Sequence, residues 1–135
     1  MAVSRGKRAP RTPALFVVPD EECRSFQRVL EFIGRRWAGA VLLAGAQGAR
    51  RFTEYRALVP GISDRLLAQR LKELEGYRLM LREVVPSTPV QILYRPSPTG
   101  AELIAALQPL IAWSARVAGN SAGAAEVESA GHAGR

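Results

Sequence analysis

Cysteine and histidine are nearly missing: Cys23 and His132 are the sole examples in 135 residues. One thiol excludes an intrachain disulfide, and so small a supply of soft ligands excludes a structural zinc site. Long apolar runs are also absent. No stretch approaches the roughly 20 residues that cross a bilayer, and no apolar signal segment follows the basic N-terminus, so a cytoplasmic protein is expected. The sequence has no nucleophile elbow, no phosphate-cradling glycine loop, no metal-ligand cluster and no histidine before its tail. This argues against an enzyme, and no cofactor is expected.

Acidic residues are the minority, 12 against 19 Lys and Arg, which leaves a net charge of +7. An anionic partner follows, and the distribution of charge decides which kind. Arg5, Lys7, Arg8 and Arg11 lie in a front segment with little to pack. The larger basic group runs from Arg24 to Arg95 among periodic apolar residues, so it belongs to a folded body. With 47% apolar residues the chain can bury the core of one domain. The expected organisation is a flexible basic tail over 1–18, a domain over 19–118 and a flexible Gly/Ala-rich tail over 119–135.

Phe26, Val29, Leu30 and Ile33 recur at helical spacing and predict a first helix over about 21–34. Trp37, Ala40, Val41 and Ala44 repeat the spacing in a second, very apolar helix that stops near Gly45 and Gly48. Phe52, Tyr55, Leu58 and Val59 give a short third helix, with Thr53 as its expected cap, ended by Pro60 and Gly61. Ser63 then reads as the N-cap of a fourth helix, with Asp64 in its first turn and Ile62 and Leu67 as a hydrophobic staple. Leu67, Leu71 and Leu74 share one face of that helix, and Asp64, Arg65, Ala68, Gln69 and Lys72 share the other. Two helices joined by a short glycine-containing turn form a helix-turn-helix, whose second helix fits a DNA major groove.

From Leu79 the apolar period falls to two. Met80, Arg82 and Val84 precede Pro86-Ser87-Thr88-Pro89, and Val90, Ile92 and Tyr94 then alternate with Gln91, Leu93 and Arg95, which is the pattern of a β-hairpin. Thr99-Gly100-Ala101-Glu102 has the form of a capping box, and Leu103, Leu107, Leu110 and Ile111 continue a last helix to about 118, with Pro109 inside it.

That order of elements resembles a winged helix. Five pieces carry a closer likeness: Ile33-Gly34-Arg35-Arg36-Trp37, Arg51-Phe52-Thr53-Glu54-Tyr55, Pro60-Gly61-Ile62-Ser63, Leu67 through Glu75, and Tyr94 followed by Pro98-Thr99-Gly100. Together they resemble the HxlR family of MarR-like bacterial transcriptional regulators over Cys23 to about Val117. The resemblance implies an α+β winged helix-turn-helix, mostly helical with a two-stranded wing. It implies a nucleoid-associated repressor that binds a palindromic double-stranded operator as a homodimer built through its first and last helices and that answers either a redox or electrophile signal or a small-molecule effector. It also implies that a cysteine near the start of the first helix, here Cys23, is a possible sensor of electrophiles or oxidants; an inert thiol is the alternative. Two positions depart from the family pattern: Arg78 follows the fourth helix where glycine is usual, and Pro96 is expected to shorten the second wing strand.

The expected DNA-binding residues follow from these placements. Arg65 suits guanine and Gln69 adenine on the exposed face of the fourth helix, beside Ser63, Ala68 and Lys72. Arg50, Arg51 and Thr53 at the start of the third helix are placed for phosphate, with a salt bridge from Arg51 to Glu54 as the plainer role for that arginine. Ser87, Thr88, Gln91 and Arg95 are the expected contacts from the wing. Arg70, beside the leucine stripe and within a turn of Glu73 and of the helix end at Glu75, reads as a member of an internal pair rather than a base contact. A winged helix used only to bind another protein is the alternative function, and it would show no DNA binding.

Overall fold

The computed structural model describes residues 13 and 15–120. Arg5, Lys7, Arg8 and Arg11, His132, and the tail beyond residue 120 lie outside the described residues. The chain divides into two units, Met1–Ile33 and Gly34–Arg135.

In the first unit α1 spans Asp20–Ile33, with Asp20, Glu21 and Glu22 in the first turn, where the helix dipole favours negative charge. Its apolar residues fall on one stripe, yet α1 buries none of them fully, and Phe26 and Leu30 stand 59% and 47% exposed.

The second unit contains α2 (Ala38–Ala46), α3 (Phe52–Leu58), α4 (Asp64–Gly76), β1 (Met80–Val85), β2 (Gln91–Pro96) and α5 (Pro98–Asn120). The core gathers around α2, whose Ala38, Val41, Leu42, Ala44 and Gly45 are all buried. Tyr55 from α3, Leu67 and Leu71 from α4 and Met80 from β1 complete it. Gly45 is one of the places where these elements meet most closely: a Cβ there would press on Tyr55 Oη, Pro96 Cγ and Met80 Cε.

Two helices end on the same backbone device. After α2, Gly48 N–H donates to Gly45 O and Ala49 N–H to Ala44 O, each at 3.1 Å, with Gly48 at φ 103°. After α4, Arg78 N–H donates to Glu75 O and Leu79 N–H to Leu74 O, each at 2.9 Å, with Arg78 at φ 61°. Both are Schellman ends, and both need a left-handed residue. The first uses glycine. The second forces an arginine into that conformation, at the position where the sequence departs from the family pattern.

The strands pair antiparallel, from Met80 opposite Pro96 to Val85 opposite Gln91. Pro96 is itself the last residue of β2, so the strand ends on it rather than before it. Sequence reading missed a third contributor to this sheet: Arg51 bridges Leu93, and Tyr94 N–H donates to Arg50 O at 2.8 Å.

The cap of α5 also differs from expectation. Ser97, not Thr99, is the capping residue, its Oγ accepting from Gly100 N–H at 2.9 Å. Pro98 explains the shift, because its fixed φ and missing N–H suit the first helical position and leave Thr99 inside the first turn. Gly100 is obligatory in this packing, since a Cβ would overlap the carbonyl of Leu79. The helix continues through Pro109, whose missing hydrogen bond falls on an exposed stretch. Beyond it Leu110, Ile111, Trp113 and Val117 are exposed. No described helix is long and apolar enough to cross a membrane.

Candidate nucleic-acid interface

The turn between α3 and α4 is held at both ends. Val59 and Ile62 are buried, Gly61 takes φ 94° beneath the ring of Trp37, and Ser63 Oγ accepts from Leu66 N–H at 3.1 Å. Ile62 and Leu67 lie on either side of that cap, as a staple requires. Arg56 on α3 adds a link that the sequence did not suggest, with Nη1 at 2.9 and 3.0 Å from the two carboxylate oxygens of Asp64. Leu67, Leu71 and Leu74 point into the core, while Ser63, Asp64, Arg65, Ala68, Gln69 and Lys72 are exposed.

The outward residues of α4 differ in freedom. No hydrogen bond or ion pair ties the side chains of Arg65 and Lys72 among the described residues. Gln69 instead donates through Nε2 to Glu73 Oε1 at 3.3 Å. Arg70 pairs with Glu73 as expected, at 3.1 Å to each oxygen, and its Nε donates to Arg36 O at 2.8 Å. Arg35 reaches the same carboxylate at 3.3 Å.

At the start of α3, Arg51 holds the N-cap position and Thr53 lies exposed in the first turn, so Thr53 does not cap the helix. Glu54 caps it from inside the helix, accepting from the backbone N–H of Arg50 and Arg51 at 2.9 and 2.8 Å. Those two amides hold its carboxyl below the usual range, the Arg51 amide foremost. The carboxylate therefore takes backbone amides rather than the Arg51 guanidinium, which donates to Gln91 Oε1 on the wing at 3.4 Å. Arg50 turns inward, donating to Gly45 O at 3.0 Å and Ala49 O at 2.6 Å, so its charge closes the end of α2.

On the wing, Gln91 and Arg95 share a face with Leu93, and Tyr94 points the other way, where its ring meets Tyr55 edge-on at 6.4 Å. Tyr55 Oη donates to Tyr94 O at 2.8 Å, and burial pushes that hydroxyl up to about 12. Arg95 and Thr88 are exposed, and Ser87 Oγ donates to Pro89 O at 2.7 Å. Between α3 and the wing lies a shallow groove of about 340 Å³ lined by Arg51, Phe52, Thr53, Pro89, Gln91 and Ile92. The exposed face of α4 thus carries two unpaired cations, and the groove joins the start of α3 to the wing.

The profile of the HxlR-like helix-turn-helix family matches residues 32–122. The chain belongs to the HxlR family. Among curated relatives, the HTH-type transcriptional regulator YodB of Bacillus subtilis (strain 168) is 36% identical over 92 residues, covering 68% of this chain and 82% of YodB. The crystal structure of diamide-treated YodB from B. subtilis superimposes with a TM-score of 0.61 at 32% identity, over 75% of this chain and 96% of that one. A MarR-family regulator from Enterococcus faecalis V583 superimposes with a TM-score of 0.67 at 28% identity, over 82% of this chain and 98% of its own. This HxlR protein is accordingly a transcriptional regulator with a winged helix-turn-helix, and its relatives are regulators rather than enzymes.

Proposed function

We propose that this HxlR protein is a sequence-specific repressor that binds a palindromic operator as a homodimer. The observation that carries the reading is the outer face of α4, where Arg65 and Lys72 are exposed and unpaired on a helix capped and locked to α3. Arg65 reads guanine from the first turn, Gln69 reads adenine one turn on, and Ala68 lies between them on the same face. Lys72, Ser63, Thr53 and Arg51 take phosphate, and Gln91, Arg95, Ser87 and Thr88 follow the backbone from the wing. Arg50 supports this set through α2 rather than touching DNA, given its two carbonyl partners.

The second copy covers the exposed apolar faces, Phe26 and Leu30 of α1 and Leu110, Trp113 and Val117 of α5. Two recognition helices then enter successive major grooves and block a promoter. The releasing signal is thiol-directed in this reading. Cys23 is a free, exposed thiol in the first turn of α1, and the relative YodB has been crystallised after diamide treatment.

Fluorescence anisotropy on the duplex upstream of the protein's own gene, across a salt series, tests the reading. Tight binding should weaken by close to one logarithmic unit per unit of log salt for each phosphate neutralised. Arg65→Ala should reduce it, and diamide should release the wild type but not Cys23→Ser. Salt-insensitive binding to a protein, with no affinity for any duplex, would establish the interaction-module alternative instead.

A further inference from the structure

Glu73 is the meeting point of side chains on and beside the recognition helix. Its Oε1 accepts from Gln69 Nε2 at 3.3 Å and from Arg70 Nη1 at 3.1 Å, Oε2 takes Arg70 Nη1 as well, and the Arg35 guanidinium forms an ion pair with Oε1 at 3.3 Å. Arg70 is fixed from its other side by Arg36 O. The carboxylate is only 23% exposed and Arg70 only 11%, so the node sits at the edge of the core while Gln69 reaches out from it. A long glutamine on a helix surface is ordinarily free to rotate and to exchange the positions of its amide oxygen and nitrogen.

We propose that Glu73 is a positioning residue that fixes the amide of Gln69 for base reading, a proposal that rests on the DNA-binding reading above. A glutamine recognises adenine by accepting from N6 and donating to N7, so the order of its oxygen and nitrogen must match the base edge. The same amide turned over offers its donor and acceptor in the reverse order, which suits other base edges. A negatively charged acceptor binds the NH2 end of the amide and rejects the oxygen end. One hydrogen of Nε2 is then held by Glu73, and the second hydrogen and Oε1 remain for the base. Arg35 and Arg70 make this possible by keeping Glu73 in place from two directions. Glu73 itself touches no base in this arrangement and acts through Gln69.

The test uses full-length protein and a duplex it selects from a random library, with competitor duplexes carrying each of the four bases at every position. Relative to the wild type, Gln69→Ala should erase a preference of roughly tenfold at one base pair of each half-site. Glu73→Ala should lose most of that preference at the same base pair, while the preferences at other positions and the salt slope stay as they are. Glu73→Gln, which keeps an oxygen that can accept from Nε2, should restore part of it. Thermal unfolding of each variant separates this effect from loss of folding, which would depress every position together. Full retention of the preference in Glu73→Ala overturns the proposal, as does a uniform loss across all positions. If Gln69→Ala changes no base preference although duplex is still bound, the proposal fails and the DNA-binding reading survives. If selection yields no preferred sequence, both fall.

Discussion

Arg56 and Asp64 face each other across the helix-turn-helix turn, one guanidinium nitrogen lying within 3.0 Å of both carboxylate oxygens. Both side chains are well exposed, so solvent screens the pair and its stabilisation is under about 1 kcal/mol. Its larger consequence is electrostatic, because it holds a negative charge at the end of α4 that would meet a duplex and occupies a cation that could meet phosphate. Asp64→Asn is expected to raise affinity for random duplex several-fold and to steepen the salt slope by up to about 0.9, the increment of one phosphate contact. Anisotropy titrations at several salt concentrations check this, and a fall in affinity would make Asp64 a contact in its own right.

Arg78 occupies a left-handed position that glycine takes without strain. Arg78→Gly is expected to stabilise the chain by about 1 kcal/mol, the strain removed exceeding the extra freedom given to the unfolded chain. Urea unfolding of the two proteins measures the difference. A destabilised glycine variant would mean that the Arg78 side chain contributes more than its backbone strain removes.

Gly100 presents the opposite case. A methyl group there would overlap the Leu79 carbonyl, and that carbonyl is fixed by accepting from Ser97 N–H at 3.0 Å. Gly100→Ala should cost about 3 kcal/mol or more, since neither the start of α5 nor the start of β1 can shift without breaking the Ser97 cap. Gly39, where nothing lies within 4 Å of an added Cβ, provides the control, and Gly39→Ala should be neutral or mildly stabilising within α2.

Tyr55 ties stability to alkaline pH. Its hydroxyl titrates near 10 in an unfolded chain and is pushed up to about 12 by burial in the folded one. The folded chain therefore holds this proton more tightly. Stability is intact below pH 10 and declines as pH rises toward 12, by up to about 3 kcal/mol. In Tyr55→Phe the decline should be absent, at a cost of about 1–2 kcal/mol at neutral pH because Tyr94 O loses its donor. Equilibrium unfolding from pH 8 to 12 distinguishes the two proteins, and equal slopes would show that other groups cause the loss.

What is legible in the sequence is whatever repeats locally. The leucines at 67, 71 and 74, the Ser63 cap with its Ile62–Leu67 staple, and the alternation around the wing each follow from short-range geometry. The partnership of Arg70 with Glu73 is readable for the same reason, the two being one turn apart on one helix. Contacts between distant parts of the chain are not readable. Nothing local says that Tyr55 Oη reaches Tyr94 O, that Arg36 lends its carbonyl to Arg70, or that Arg51 pairs with Leu93. The cap of α5 escapes because two overlapping motifs compete there, and Ser97-Pro98 places the helix start earlier than the Thr99–Glu102 pattern does.

The bridge from Arg51 to Leu93 has a mechanical meaning. With Tyr94 N–H on Arg50 O beside it and Tyr55 Oη on Tyr94 O behind it, the inner strand of the hairpin is fastened to both the approach and the body of α3. A hairpin joined only at its own root could swing like a hinge; this one is cross-braced at its base, and its bending is left to the few residues nearest the tip. In the proposed complex the second unit would therefore meet a duplex as a stiff template of fixed span. Release in that complex would then call for a change in the distance between two such templates, not for a loosening within either of them.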